Sequence, residues 1–330
     1  MNCRRERKTM QTSEMMVSVY CLAYNHEKYI RSALDGFVSQ KTDFLYEVFV
    51  HDDASTDGTA AIIREYAEKY PHIIKPILQT ENQYSQGVKI FNTHILPRIS
   101  GKYLAICEGD DFWCDPYKLQ IQVDFLEANP EYAACVHNTR KLDLSNGKES
   151  LLFGNEAYDV TLAHTIRYGS AAYQTSSLLY RSQYAYNRPA FMFAVKSLGD
   201  YPMAIHLSLM GKMRYMPEAM STYRANVPGS WTQRVGMRPE KLIAVTESTI
   251  TMLKMADDFS GGAHHELFDE VVKKNEYKLL KLKREFRKAV RHPGYRTESA
   301  KERAKIFLLA CAPWLLSIKR YGKDLLYRGK

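Results

Sequence analysis

The sequence predicts an α/β fold, a mainly parallel, doubly wound sheet followed by a helical C-terminal extension. Three observations predict it. Short apolar runs alternate with helix-period segments from Val17 to His137. Two acidic clusters, His51-Asp52-Asp53 and Glu108-Gly109-Asp110-Asp111, each follow an apolar run directly. Beyond Pro239 the pattern becomes helical and basic.

The elements can be taken in order. Val17–Cys21 reads as a strand. Glu27–Val38 carries Ile30, Ala33, Leu34 and Phe37 at helical spacing. Tyr46–Val50 is a second strand, and Thr59–Tyr70 a helix with Asp57 as its cap and Pro71 as its stop. Ile73–Leu78 is a third strand, Val88–Leu96 a helix and Tyr103–Cys107 a fourth strand. Asp115-Pro116 opens another helix, a capping residue before a first-turn proline. Ala133–His137 returns to strand. Further on, Thr175–Tyr180 and Lys212–Met216 read as strands, with a helix over Tyr201–Met210 between them. Helices are expected over Glu240–Met255, His265–Val290 and from Glu298 onward. The βαβα order implies parallel strands, and in such sheets ligands lie beyond the carboxyl ends of the strands. Both acidic clusters fall there.

Composition narrows the function classes. The chain has 330 residues, 45% hydrophobic, enough for a sizeable core and two lobes. Its six cysteines (3, 21, 107, 114, 135 and 311) show no metal-ligand spacing, which implies a reducing compartment without a disulfide framework. Met1–Ser13 is polar and basic, unlike a secretory signal. No apolar run reaches the ~18 residues of a spanning helix. The net charge is +9. From residue 263 to 330, 18 Lys and Arg stand against 8 Asp and Glu, so the surplus belongs to the C-terminal segment and the remainder is near neutral. That points to an anionic surface met by the tail. Ile306–Ile318 is apolar and flanked by Lys305, Lys319 and Arg320. It reads either as an interfacial helix on an anionic leaflet or as a helix packed on the rest of the protein. No nucleic-acid-binding module is present, so nucleic acid is the poorer explanation of the charge.

Several motif readings fail. Asp53-Ala54-Ser55-Thr56-Asp57-Gly58 resembles the start of a calcium loop, but Arg64 occupies the position where a bidentate Glu is required. A phosphatase motif would need an acid at Ser55. The loop after the first strand, Ala23-Tyr24-Asn25-His26-Glu27, has no glycine and excludes a dinucleotide fingerprint.

The segments 17–30, 51–59 and 107–113 (Cys-Glu-Gly-Asp-Asp-Phe-Trp), in that order and spacing, resemble the successive blocks of glycosyltransferase family 2. The resemblance covers residues 16–235. It implies the A-type nucleotide-diphospho-sugar transferase fold, a nucleotide-sugar-binding half over residues 16–137 and an acceptor-binding half over 138–235. Residues 1–15 would be a flexible tail, and 236–330 a basic helical extension outside the resemblance. It implies a nucleotide-diphosphate sugar donor and a glycan or lipid-linked acceptor. It also implies Mn²⁺ or Mg²⁺ and inversion at the anomeric carbon. The cysteine usage points to the cytoplasm, and the basic C-terminal segment allows peripheral binding to the inner face of the cell membrane.

Carried over by position, Tyr24, Asn25, Asp52 and Asp53 would line the base and ribose pocket. The metal block falls on Glu108-Gly109-Asp110. Asp110 would be the main ligand, and Glu108, with its longer arm, would ligate directly or through water. Asp111 would either support the metal site or cap the following turn. Asp200, in Gly199-Asp200-Tyr201-Pro202, falls where relatives carry the general base, and it also reads as a helix cap. Arg224 and Lys89 would meet the diphosphate. Trp231 would stack on a sugar or serve as a lid aromatic. His137 falls near the acceptor in the family, although a satisfied buried histidine also fits. Two other classes remain as alternatives, a nucleotidyltransferase making nucleotide sugars and a catalytically silent glycan- or nucleotide-binding module. The first would want a glycine-rich basic loop near the N-terminus, which is missing. The second would have lost Asp110 or Asp200, and both are present.

Overall fold

The structure is a computed structural model that describes residues 14–195, 199–228, 230 and 238–312. Two compact units make up the chain. One comprises Met1–Arg188 with Met203–Pro228, the other Pro189–Pro202 with Gly229–Lys330.

The first unit is built on a ten-stranded sheet. Its first four strands are β1 (Met15–Ala23), β2 (Leu45–Asp52), β3 (Ile74–Leu78) and β4 (Tyr103–Ile106). They pair in parallel in the spatial order β3-β2-β1-β4. β1, β2 and β4 are mostly buried, as expected of strands covered on both faces, whereas the edge strand β3 buries only Ile74. The helices α1 (Ile30–Val38), α2 (Thr59–Lys69) and α3 (Lys118–Ala128) supply much of the rest of the core. α1 turns Ile30, Ala33, Leu34 and Phe37 inward, the periodicity that predicted it. Gly36 lets α1 lie directly on the short strand β5 (Phe112–Trp113), since a Cβ there would stand 2.6 Å from the Trp113 carbonyl oxygen. Trp113 in turn packs edge-on against Phe37, with ring centroids 4.9 Å apart.

Beyond β4 the sheet becomes mixed. The remaining strands are β6 (Tyr132–Asp143), β7 (Lys148–Leu151), β8 (Tyr158–Val160), β9 (Leu179–Arg181) and β10 (Lys212–Ala225). β9 is antiparallel to both β4 and β6, β6 and β10 run parallel, and β5 closes the row antiparallel to β10. β7 and β8 hang on β6 and β10. The two halves expected to divide at residue 137 therefore share one sheet, and β6 runs through that position. The helix expected over Val88–Leu96 is a wide helical turn, Phe91–Ile95, followed by a tight one, Leu96–Arg98. A short helix α4 (Leu162–Tyr168), with Thr161 as its cap, was not signalled by periodicity.

The helix α5 (Asp200–Met210) precedes β10. The second unit contains α6 (Pro239–Phe259), α7 (His265–Leu282), α8 (Phe286–Arg291) and α9 (Ala300–Cys311). α6 opens with proline at its first position and Glu240 in its first turn. The helix expected over His265–Val290 is broken, because Arg284 takes a left-handed φ of 60°. Tyr277, Ala289 and Ile306 form the small core that joins α7, α8 and α9.

Candidate active site

The order β3-β2-β1-β4 reverses direction between β1 and β4, and a crevice forms at the carboxyl ends of strands beside such a switch point. The loops there are the ones the sequence singled out.

The loops after β1 and β2 are stapled to each other. Asn25, in the left-handed region at φ 56°, accepts at Oδ1 from the Thr56 amide at 2.8 Å, and its own amide donates to Ser55 Oγ at 2.8 Å. The His26 amide donates to Thr59 Oγ1 at 2.8 Å and the Glu27 amide to Asp57 Oδ2 at 3.1 Å. Asp57 also accepts from the Thr59 amide at 3.0 Å, the capping role expected of it, with Gly58 taking the formal cap position. Burial works against the Asp57 charge, but the hydrogen bonds from Thr59 and Glu27 outweigh it and hold the carboxyl below its usual range.

Asp52 and Asp53 are both buried at the end of β2. Asp52 Oδ2 accepts from the Ser55 amide at 3.1 Å, closing a turn in which Ala54 sits at φ 59°. A left-handed alanine costs about 1–2 kcal/mol, a strain that the surrounding hydrogen bonds must hold. Asp53 accepts from the Gln83 and Tyr84 amides, one per oxygen, at 2.8 and 3.0 Å. Each oxygen keeps a second lone pair for a ligand. Tyr24 stands exposed at the rim, and Lys89 is exposed just before the turn at Phe91.

The acidic loop after β4 is held from two sides. The Gly109 amide donates to the Leu22 carbonyl at 3.0 Å, so this loop lies against the end of β1. A Cβ at Gly109 would meet His26 Nδ1 at 2.8 Å, which is why glycine is needed there. Burial keeps His26 below its ordinary pKa, against the pull of Asp110, Asp57 and Asp52. Asp111, 1% exposed, points inward. Its Oδ1 accepts from the Arg224 amide at 2.9 Å and its Oδ2 from Gln174 Nε2 at 2.9 Å. It thus ties the loop to β10 and does not cap the next turn. Asp115 accepts from the Tyr117 amide at 2.8 Å in the turn before α3, but α3 begins at Lys118 with Tyr117, not Asp115, at the cap position. Burial, reinforced by Asp110 and Glu108, pushes the Asp111 carboxyl well up.

Arg224, on β10, donates from Nη1 to the Asp110 carbonyl at 2.8 Å. Its guanidinium lies over Phe112 and Tyr29, 4.5 and 5.4 Å from the ring centroids. The Asp110 carboxylate is half-buried and takes no hydrogen bond from any described residue. Glu108 is exposed on the same loop.

His137 and Asp200 are two further residues that the sequence singled out. His137 is 0% exposed, with Nδ1 2.6 Å from the Asn138 carbonyl oxygen, and burial pushes its pKa well down. It is buried, in keeping with the buried-histidine alternative, and its Nε2 finds no partner among the described residues. Asp200 is the first residue of α5 and accepts at Oδ1 from the Tyr201 amide at 2.9 Å. Trp231 lies outside the described residues. Sequence reasoning missed Gln174 as a site-building residue. It also missed His26, although His26 stood in the loop it quoted. All five described cysteines are free thiols.

The family model for glycosyl transferase family 2 matches residues 18–187, more than half of the chain. The chain belongs to glycosyltransferase family 2. Among relatives of this family-2 chain, the uncharacterized Mycobacterium tuberculosis protein Rv1520 is 38% identical over 221 residues, 65% of this chain. The chain spans 60% of that relative's length. A chondroitin synthase of Escherichia coli is 25% identical over 209 residues, 61% of this chain and 28% of the synthase. Among solved structures, S. aureus TarS 1-349 in complex with UDP-GlcNAc superposes with a TM-score of 0.60 at 20% identity, over 90% of this chain and 79% of TarS. The Pyrobaculum calidifontis mannosyltransferase PcManGT, in complex with GDP-Man and Mn²⁺, gives 0.52 at 19% identity, over 92% and 82%. At these identities the two structures establish the fold, the mixed sheet flanked by helices of the A-type transferases, with a helical C-terminal region.

Proposed function

We propose that this chain is an inverting, metal-dependent glycosyltransferase. It would move a sugar from a nucleotide diphosphate to a glycan or lipid-linked acceptor in cell-surface polysaccharide synthesis. The observation that carries this reading is the gathering of Asn25, Asp52, Asp53, Glu108 and Asp110 on the loops beside the switch between β1 and β4. The UDP-GlcNAc and GDP-Man complexes of the fold relatives support a nucleotide-sugar donor, and the chondroitin synthase supports a polysaccharide product.

The residues fit a divalent cation of a particular kind. Among the described residues no three His, Cys, Asp or Glu side chains stand close enough to cage a metal. The Asp110 carboxylate takes no hydrogen bond from a described residue, which leaves it available. One or two carboxylates completed by substrate phosphates is how Mg²⁺ is usually held, and the PcManGT complex with Mn²⁺ supports the same choice. Asp110 would be the main ligand and Glu108 the longer second arm. Bound there, Mn²⁺ or Mg²⁺ would neutralise the diphosphate as it leaves.

The chain's own groups do the rest. Asn25, Tyr24, Asp52 and Asp53 receive base and ribose, whose N–H and O–H groups donate to the carboxylates. Arg224, fixed over Phe112, and Lys89 place positive charge toward the diphosphate. Asp200 takes the proton of the acceptor hydroxyl as its oxygen bonds to the anomeric carbon. The bond from that carbon to the phosphate oxygen breaks in the same step, and the configuration inverts. Trp231 stacks on a sugar. The basic C-terminal helices hold the enzyme on the inner face of the membrane. No helix among the described residues is long and apolar enough to cross it.

A donor-hydrolysis assay with Mn²⁺ on the wild type and Asp110→Ala tests the reading. Release of nucleoside diphosphate that depends on Asp110 is expected. Pyrophosphate release from a nucleoside triphosphate and a sugar phosphate would instead make the chain a nucleotidyltransferase. No turnover with any donor would leave a binding module.

A further inference from the structure

The helix α9 carries an exposed face that the other described residues of its unit leave uncovered. Its inward side chains are Ile306 and Ala310, both buried. Helical spacing sets Ala304, Phe307, Leu308 and Cys311 along the opposite stripe, all exposed, behind the exposed Lys301, Arg303 and Lys305 of the first turns. Phe307 is 55% and Leu308 54% exposed, large values for apolar side chains on a helix. Cations crowd the surroundings. Between residues 283 and 305 stand nine Lys and Arg, all exposed, against three half-buried Glu. The sequence continues the theme past the described residues, with Trp314, Leu315, Leu316 and Ile318 followed by Lys319 and Arg320.

Charge selects the occupant. A second copy would bring the same cationic surplus against itself. A lipid leaflet offers what both parts of the stripe need, anionic phosphates for the ammonium and guanidinium groups and an acyl boundary for the rings and methyls.

We propose that α9 docks on an anionic bilayer, with Phe307 and Leu308 entering the headgroup–acyl boundary and Lys301, Arg303 and Lys305 resting on lipid phosphates. This deepens the membrane reading given above and does not depend on the catalytic assignments. The test is co-sedimentation of the full chain with vesicles of phosphatidylglycerol and phosphatidylcholine, and with phosphatidylcholine alone. The protein should pellet with the anionic vesicles and be released at about 0.5 M salt, where charges are screened beyond ~4 Å. The double variant Phe307→Glu, Leu308→Glu should bind at least tenfold more weakly, with donor hydrolysis in vesicle-free buffer unchanged. Lys301→Glu with Lys305→Glu should weaken binding separately. Wild-type protein that stays in the supernatant, binds both vesicle types equally, or binds as well with the double variant overturns the proposal. So does a double variant that turns a dimer into a monomer without any vesicle binding, which would assign the face to a second copy. An inactive wild type that still pellets with anionic vesicles sinks the transferase reading alone.

Discussion

Replacing Lys118 by methionine should stabilise the folded protein at neutral pH and flatten its dependence of stability on pH. Lys118 is 0% exposed at the start of α3. Its Nζ donates to Gln122 Oε1 at 2.7 Å and stands 4.1 Å from the Trp113 ring centroid. Burial pushes the amine from 10.5 down to about 7, with Cys135 and Cys107 pulling weakly the other way. The unfolded chain therefore binds a proton that the folded chain lacks between about pH 7 and pH 10.5, so stability rises with pH across that window. Below about pH 7 both states are charged, and the whole penalty of the buried ammonium is present. The interval corresponds to about 5 kcal/mol, or about 1.4 kcal/mol per pH unit inside it. Methionine removes the penalty and fits the same apolar space. It also strands Gln122 Oε1, at a cost of about 1–3 kcal/mol. The balance at pH 7.5 is a stabilisation of roughly 1–3 kcal/mol. The assay is urea unfolding of both proteins from pH 7.5 to 9.5, followed by tryptophan fluorescence. Wild type should gain about 2–3 kcal/mol over that range and Lys118→Met much less. Parallel curves, with the variant less stable throughout, would refute the argument that this amine is held neutral by burial.

Four further outcomes are expected. Gly109→Ala puts a methyl 2.8 Å from His26 Nδ1 and 3.0 Å from Ile30 Cδ1, so donor affinity should fall about tenfold and stability by about 1–3 kcal/mol. An unchanged Kd and Tm would show that the loop has room to spare. Gln174→Ala removes the partner of Asp111 Oδ2 and should raise the metal concentration needed for half-maximal donor hydrolysis severalfold, more than it lowers kcat. An effect on kcat alone would argue against a positioning role. Asp57→Ala releases the Glu27 and Thr59 amides and should cost about 1–2 kcal/mol by thermal denaturation. Chelation of divalent ions should abolish donor hydrolysis, with Mn²⁺ or Mg²⁺ restoring it. The donor should then raise Tm only with metal present, by the equivalent of about 2.7 kcal/mol at a hundredfold excess over Kd.

The sequence by itself determined the parallel half of the sheet, its flanking helices and the location of the acidic loops. The apolar runs at β1, β2 and β4 and the helical spacing at α1 and α2 are local patterns, and a loop that follows a buried parallel strand must emerge at its carboxyl end. Asp110 was legible for that reason. What decided the site's construction was long-range pairing. Asp111 meets Gln174 across 63 residues and Arg224 across 113, and no local pattern records either partner. The strand β10 was read only to Met216, yet it runs to Ala225 beside β6, through register shifts between Met216, Ala219 and Ser221. Its polar second half is held by its neighbours, not by its own periodicity. His137 illustrates the same limit. The family resemblance set it near the acceptor while a buried histidine also fitted, and only the sheet order, with β6 between β9 and β10, shows that its side chain is buried. A local apolar run marks which residues form a strand. Only the order in which strands pair fixes what each side chain meets.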